Sequence, residues 1–337
     1  MILKLFYLTI INLSSIYIFK YFAEYFNLID TPNFRKKHKE PTPLIGGISI
    51  FITLFFSTFF FEYSKILNII IISSSLVFII GLLDDIKNIG IIVRLITQLL
   101  GSLIVIFSGL YVVNLGNFLN IQLINLEIFF IIFTIFSVIS LTNAFNFIDG
   151  MDGLAGGSFL VAIISILFFQ FFGNGFYHIE LLILLIIILS IYLLFNLSLF
   201  SFKKIFLGDS GSLLLGFLMS WFLIYFTHPE TRTFHPVLTV WCVTFPVFDT
   251  ISVVFRRLIT RKNIFLPDLF HMHHILNNYG FSKNFSVLII LISGFFLSIL
   301  GLLIFLFFGP LISLLSYIFL AIIYIFISFY IMKKGKN

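Results

Sequence analysis

The sequence predicts an all-α, polytopic integral membrane protein with about 10–11 transmembrane helices, its N-terminus periplasmic and its C-terminus cytoplasmic. Three observations predict it. Mean hydropathy is +1.16, and 60% of the 337 residues are hydrophobic while only 10% are charged, too few to cover a water-soluble core of that size. Apolar runs of about 20 residues, the length a bilayer's hydrocarbon core demands, recur from end to end. Lys and Arg gather in alternate loops, the signature of cytoplasmic ones.

The runs are 3–23, 46–61, 66–83, 93–113, 127–145, 158–172, 180–200, 212–227, 236–255, 285–306 and 311–332. The second and sixth are short. The first continues into polar, aromatic sequence with no small-residue cleavage site, so it reads as a retained helix. There is no internal repeat and no soluble domain, and residues 1–337 read as one multi-helix domain. The single cysteine, Cys242, can build neither a disulfide framework nor a thiolate metal site.

With loop 24–45 placed in the cytoplasm, strict alternation puts all but Lys4, Lys65 and Arg232 of the 20 basic residues inside. The same topology sorts the acids, which took no part in setting it. Every aspartate (Asp30, Asp84, Asp85, Asp149, Asp152, Asp209, Asp249 and Asp268) falls on or near the inner side, while Glu62, Glu127, Glu180 and Glu230 fall outside. Asp and Glu carry equal charge, so solubility alone does not separate them. The short carboxylate is wanted on one face, and carboxylates at membrane depth mark function by default.

Three acidic clusters stand at inner helix ends: GLLDDIKN with Asp84 and Asp85, NAFNFIDGMDGL with Asn143, Asn146, Asp149 and Asp152, and FLGDSGS with Asp209. One Asp-Gly alone would mean only a turn leaving a helix. Three clusters on one face mean a site. Polar residues at every third position of the second cluster spread over half a helix, and Gly150 and Gly153 permit a turn that aligns them better. Carboxylates left bare near one another repel. A hard divalent cation, Mg²⁺ or Mn²⁺, relieves this, and such a cation brings phosphates with it. No cysteine cluster or HExxH pattern points to zinc.

The basic residues agree. Loop 256–284 holds Arg256, Arg257, Arg261 and Lys262, then His271, His273 and His274, a grouping suited to phosphate or a nucleotide. His178, His228 and His235 fall outside and read as structural. The basic, proline-punctuated loop 24–45 suits anionic headgroups or an anionic lipid substrate.

The motifs RKKHKEPTPLIGGISI, GLLDDIKN, NAFNFIDGMDGL, FLGDSGSLLLG and PDLFHMHH, in this order over nearly the whole chain, resemble those of the polyprenyl-phosphate N-acetylhexosamine-1-phosphate transferases. The HxHH form is most like the bacterial undecaprenyl-phosphate N-acetylglucosaminyl-1-phosphate transferases; the peptidoglycan relatives usually carry three consecutive histidines. The resemblance implies a multi-pass protein of the bacterial inner (plasma) membrane. Its cytoplasmic catalytic loops would lie around 24–45, 84–94, 146–157, 201–212 and 256–284.

The implied reaction moves GlcNAc-1-phosphate from UDP-GlcNAc to undecaprenyl phosphate, releases UMP and opens the assembly of a cell-surface polysaccharide. The implied cofactor is Mg²⁺, with Mn²⁺ as its substitute. The implied partners are the lipid phosphate, the nucleotide sugar and the membrane, not nucleic acid, and a homodimer is compatible with all of these. By the same resemblance Asp209 is a main metal ligand. Asp84 and Asp85 are candidates for the base toward the lipid phosphate and for an auxiliary metal contact, the latter assigned to Asp85. Asp152 joins them as a catalytic residue, lining the nucleotide and metal pocket with Asn146 and Asp149. His271, His273 and His274 contact phosphates or the sugar, and Arg94 reaches a phosphate. Asp84 and Asp85 diverge on a helix, so the two are not equivalent.

One departure stands out. Leu269 occupies a position where such relatives commonly carry arginine; either Arg261 or Lys262 substitutes for it, or nucleotide affinity is weaker. Two alternatives keep the same residues: another UDP-N-acetylsugar, including UDP-MurNAc-pentapeptide, as donor, or a cation-coupled secondary transporter. Transporters place such groups near the midplane on broken, repeated helices. Here the acids lie at one face and nothing repeats.

Overall fold

A computed structural model of the chain describes residues 1–31, 40–116, 127–261 and 271–334. These form α1 (Ile2–Phe22), β1 (Ile29–Asp30), β2 (Thr42–Pro43), α2 (Gly46–Phe60), α3 (Lys65–Lys87), α4 (Ile91–Phe107), α5 (Glu127–Ile148), α6 (Leu154–Phe172), α7 (Ile179–Asn196), α8 (Gly208–Thr227), α9 (Leu238–Cys242), α10 (Thr244–Ile259), α11 (Met272–Asn278) and α12 (Lys283–Lys334). Seven of these helices are long and apolar enough to cross a membrane; α2 and α4 are apolar but shorter. The all-α, polytopic expectation holds.

Four runs differ from their expected form. The ninth is broken at Val243 (φ −119°, ψ 30°) into α9 and α10. Pro246 sits in the first turn of α10, where a missing N–H costs nothing. The tenth and eleventh runs are continuous as α12, broken only by Gly309 (φ 83°, ψ 177°) before Pro310. The sixth is longer than its apolar run, because α6 begins at Leu154.

At the centre stands α8. All its residues except Asp209 and Thr227 are buried, and it packs most extensively against α3 and α5. Lipid gives apolar helices little drive to associate, so close approach at small residues supplies the packing. At Gly81 of α3 an added Cβ would lie 2.6 Å from Ser210 Cα of α8, so the two backbones touch where α8 begins.

The start of α8 is also held from the other side. The register of β1 and β2 pairs Ile29 with Pro43 and Asp30 with Thr42. Just beyond, Phe206 N–H donates to Pro43 C=O (2.8 Å), Gly46 N–H to Phe206 C=O (2.9 Å) and Gly47 N–H to Leu207 C=O (3.0 Å). Two N–H groups that α2 cannot satisfy internally thus clasp the strand-like segment that delivers Asp209.

Candidate active site

Leu207, the residue before α8, makes no side-chain cap, yet the first N–H groups of a helix need acceptors and its end carries partial positive charge. Asp85 supplies the acceptor from α3. Its Oδ1 accepts from Asp209 N–H (2.7 Å) and its Oδ2 from Ser210 N–H (3.1 Å). Gly208 makes room, with φ of 77°, and an added Cβ there would lie 2.5 Å from Asp85 Oδ2. The Asp209 side chain remains 39% exposed.

Asp84 points elsewhere, as two consecutive helical residues must. Its Oδ2 accepts from Arg94 (2.8 Å), and its Oδ1 accepts from Ile89 N–H. Asn88, in the left-handed region at φ 50°, closes α3, so α4 begins three residues later and carries Arg94 back over the carboxylate. The same guanidinium nitrogen lies 4.0 Å from Asp209 Oδ2, and Arg94 Nε has no hydrogen-bond partner among the described residues.

From α5, Asn146 donates to Asp209 Oδ1 (2.6 Å) and to Ser212 Oγ (2.9 Å). One turn earlier Asn143 donates to Gln98 Oε1 (2.8 Å) on α4. The helix continues to Ile148 and turns over residues 149–153, where Gly153 takes φ of 77° and its N–H donates to Asn196 Oδ1 (2.6 Å). Burial, then the negative charges of Asp209, Asp85 and Asp152, push the Asp149 carboxyl well above the ordinary carboxylate range. Asp152 turns away to an ion pair with Lys204 (2.6 Å).

His271, His273 and His274 open α11. His273 is buried at 1% exposure with no hydrogen-bond partner for either ring nitrogen among the described residues. An added Cβ on Gly150 would lie 3.0 Å from its Nε2, so the ring rests on the IDGMDGL turn. Burial, aided by the charges of His274 and His271, lowers its pKa to about 3. The His271 ring lies parallel to it, centroids 5.5 Å apart. His274 packs its ring 4.2 Å from His273.

One end of α8 therefore gathers Asp84, Asp85, Arg94, Asn146, Asp149 and Asp209, with Asp152 on the adjoining turn and the histidines of α11 beside it. Sequence reasoning missed Lys204, Gln98, Asn196 and Ser212. Lys204 lay five residues ahead of Asp209 and was counted only as a basic residue; the others are single polar residues that no local pattern distinguishes. Leu269, Lys262, Asp268 and the basic run 35–39 lie outside the described residues.

A divalent cation fits this donor set. Among the described residues no three acidic or histidine side chains enclose an ion by themselves. Asp209 is exposed beside the amide of Asn146, and among the described residues nothing offsets the crowding of the Asp149 carboxyl by Asp209, Asp85 and Asp152. One or two carboxylates completed by water and substrate phosphates is the habit of Mg²⁺.

Residues 67–227, from α3 to the end of α8, match the family model described as glycosyl transferase family 4. A protein of Pasteurella multocida (strain Pm70) is 37% identical over 272 residues, 80% of this chain and 76% of the relative. One of Yersinia pestis is 31% identical over 305 residues, 88% and 82% of the two chains. One of Escherichia coli (strain K12) is 30% identical over 283 residues, 83% and 77%. All three are named undecaprenyl-phosphate α-N-acetylglucosaminyl 1-phosphate transferase.

Proposed function

Since the chain belongs to the undecaprenyl-phosphate α-N-acetylglucosaminyl 1-phosphate transferases of glycosyl transferase family 4, we propose that it joins GlcNAc-1-phosphate from UDP-GlcNAc to undecaprenyl phosphate at the N-terminus of α8. An oxygen of the lipid phosphate attacks the sugar-bearing β-phosphorus. The bond from that phosphorus to the bridging oxygen breaks, and UMP leaves with the bridging oxygen. The products are UMP and undecaprenyl-diphosphate-GlcNAc, the lipid-linked first sugar of a cell-surface polysaccharide. One substrate cannot leave the bilayer, which is why the site lies where helices end. We place that end on the cytoplasmic face of the inner membrane, the side of the nucleotide sugar.

The observation that carries this reading is the set of groups around Asp209: an exposed carboxylate held by Asn146, with Arg94 4.0 Å away and Asp149 without a compensating partner among the described residues. Phosphoryl transfer needs charge neutralisation and alignment more than covalent help from the protein. Asp209 and Asp149 would hold a divalent metal, Mg²⁺ or Mn²⁺. When bound, it neutralises phosphate charge and favours departure of UMP. Arg94, held by Asp84, offers a guanidinium to a phosphate. With both oxygens on amides, Asp85 fixes where Asp209 stands. Lys204, held by Asp152 beside the IDGMDGL turn, offers a second cation for the nucleotide.

The test uses purified protein in detergent with undecaprenyl phosphate and UDP-GlcNAc labelled in the sugar, with and without Mg²⁺. Label should enter the organic phase and UMP appear in equal amount, both abolished by a chelator. Faster transfer from UDP-GalNAc or UDP-MurNAc-pentapeptide would reassign the donor. Absence of transfer from every donor by a folded sample would refute the reaction.

A further inference from the structure

Asp249 lies in α10, a full carboxylate only 2% exposed. Such a group is costly unless every lone pair it turns inward is satisfied. Three donors meet it, two from the start of α11 and one from α12. Its Oδ2 accepts from His271 Nδ1–H (2.6 Å), and its Oδ1 accepts from Met272 N–H (2.9 Å) and from the Tyr324 hydroxyl of α12 (3.1 Å). The N–H of Met272 and the packing of α11 against α12 would anchor this segment without a charge, and apolar residues of similar volume often hold helices as well as a buried ionic pair does. The charge has a narrower effect. A carboxylate can only accept, so it obliges His271 to carry a proton on Nδ1, and Nε2 becomes the nitrogen directed away from the α10–α12 interface. The parallel ring of His273 rests on Gly150, which places the pair beside the acidic turn.

We propose that Asp249, braced by Tyr324, is a positioning residue for the transfer: it sets the tautomer and direction of His271, so that Nε2 is presented to the nucleotide sugar. The proposal rests on the transferase reading for the identity of the ligand, but not for the state of the ring.

The two oxygens make the test sharp. In Asp249→Asn the side-chain carbonyl keeps the two donors now on Oδ1, so the amide takes the place of Oδ2 and donates to His271 Nδ1. The shape is retained and the tautomer is inverted. In protein labelled with ¹⁵N-histidine, His271 should carry its proton on Nδ1, and Asp249→Asn should move it to Nε2. A wrong tautomer held in the right place costs rate, and kcat/KM for UDP-GlcNAc should fall about 10-fold or more. His271→Ala should lose as much, and the double variant no more than either. A wild-type ring protonated on Nε2 overturns the proposal even if the variant does not fold. So does an inverted tautomer with unchanged kcat/KM, or losses that add. The spectra need no turnover, so failure of the transferase reading is seen separately, as absence of transfer by protein with the expected ring.

Discussion

Two aspartates that look alike in the sequence do different work at the residue scale. Asp85 gives both oxygens to backbone N–H groups of α8, whereas Asp209 keeps a side chain 39% exposed. Asp85→Asn turns an amide donor against one of those N–H groups and should destabilise the protein by about 1–3 kcal/mol, because a buried donor is left unmet. Asp209→Asn should keep the thermal midpoint yet lower kcat by about 100-fold or more, the loss seen when charge stabilisation of a transition state is removed. Thermal unfolding in detergent beside the transfer assay separates the two, and equal midpoints would dissolve the distinction. His273 gives a pH dependence. Its folded-state pKa of about 3 lies below the ordinary 6.5, so its stabilising contribution is complete above pH 6.5 and is lost as pH falls from there toward 3. Lowering the pH across that window should lower the thermal midpoint, and His273→Phe should flatten the fall. An unchanged slope would mean that another group governs it.

At the element scale, the start of α8 depends on what surrounds it. Gly208→Ala forces a side chain into the left-handed region and into the Asp85 carboxylate, which the added Cβ would approach to 2.5 Å. We expect a loss of about 1–3 kcal/mol from the strained backbone, with activity falling at temperatures where the protein is still folded, because the cap and Asp209 move together. Full activity in a stable Gly208→Ala variant would show that the cap does not position Asp209. Much at this scale was legible beforehand. The runs became helices because about 20 apolar residues have one low-energy form in a bilayer, and the divergence of Asp84 and Asp85 followed from helical geometry. The partner of Asp85 was not legible, since it lies 124 residues away and no local pattern encodes it. Nor was the break at Val243, where hydropathy runs on unchanged. Asp249 was visible as an inner aspartate, but its role needed α10, α11 and α12 assembled around His271.

At the scale of the whole molecule, the helix ends sort the charges. The C-termini of α3 and α5 and the N-terminus of α8 meet at one end of the bundle, and the link from α1 to α2 joins them there through Pro43–Gly47. The opposite end carries His178, whose ring contacts Glu180 (3.0 Å) and the Tyr225 hydroxyl (3.2 Å). If the basic loops are cytoplasmic, as the energetics of translocating Lys and Arg require, these two ends face opposite compartments. The single cysteine makes this measurable, because Cys242 is 5% exposed and reacts little in the folded protein. Tyr25→Cys, beyond the inner end of α1, and Phe176→Cys, between α6 and α7, replace side chains that are 80% and 50% exposed. In intact cells a membrane-impermeant thiol reagent should label Phe176→Cys and spare Tyr25→Cys, and both should react once the membrane is opened. The reverse pattern would put the Asp209 end outside, where it would meet no cytoplasmic nucleotide sugar, and the transfer reaction could not run there whatever the purified protein does.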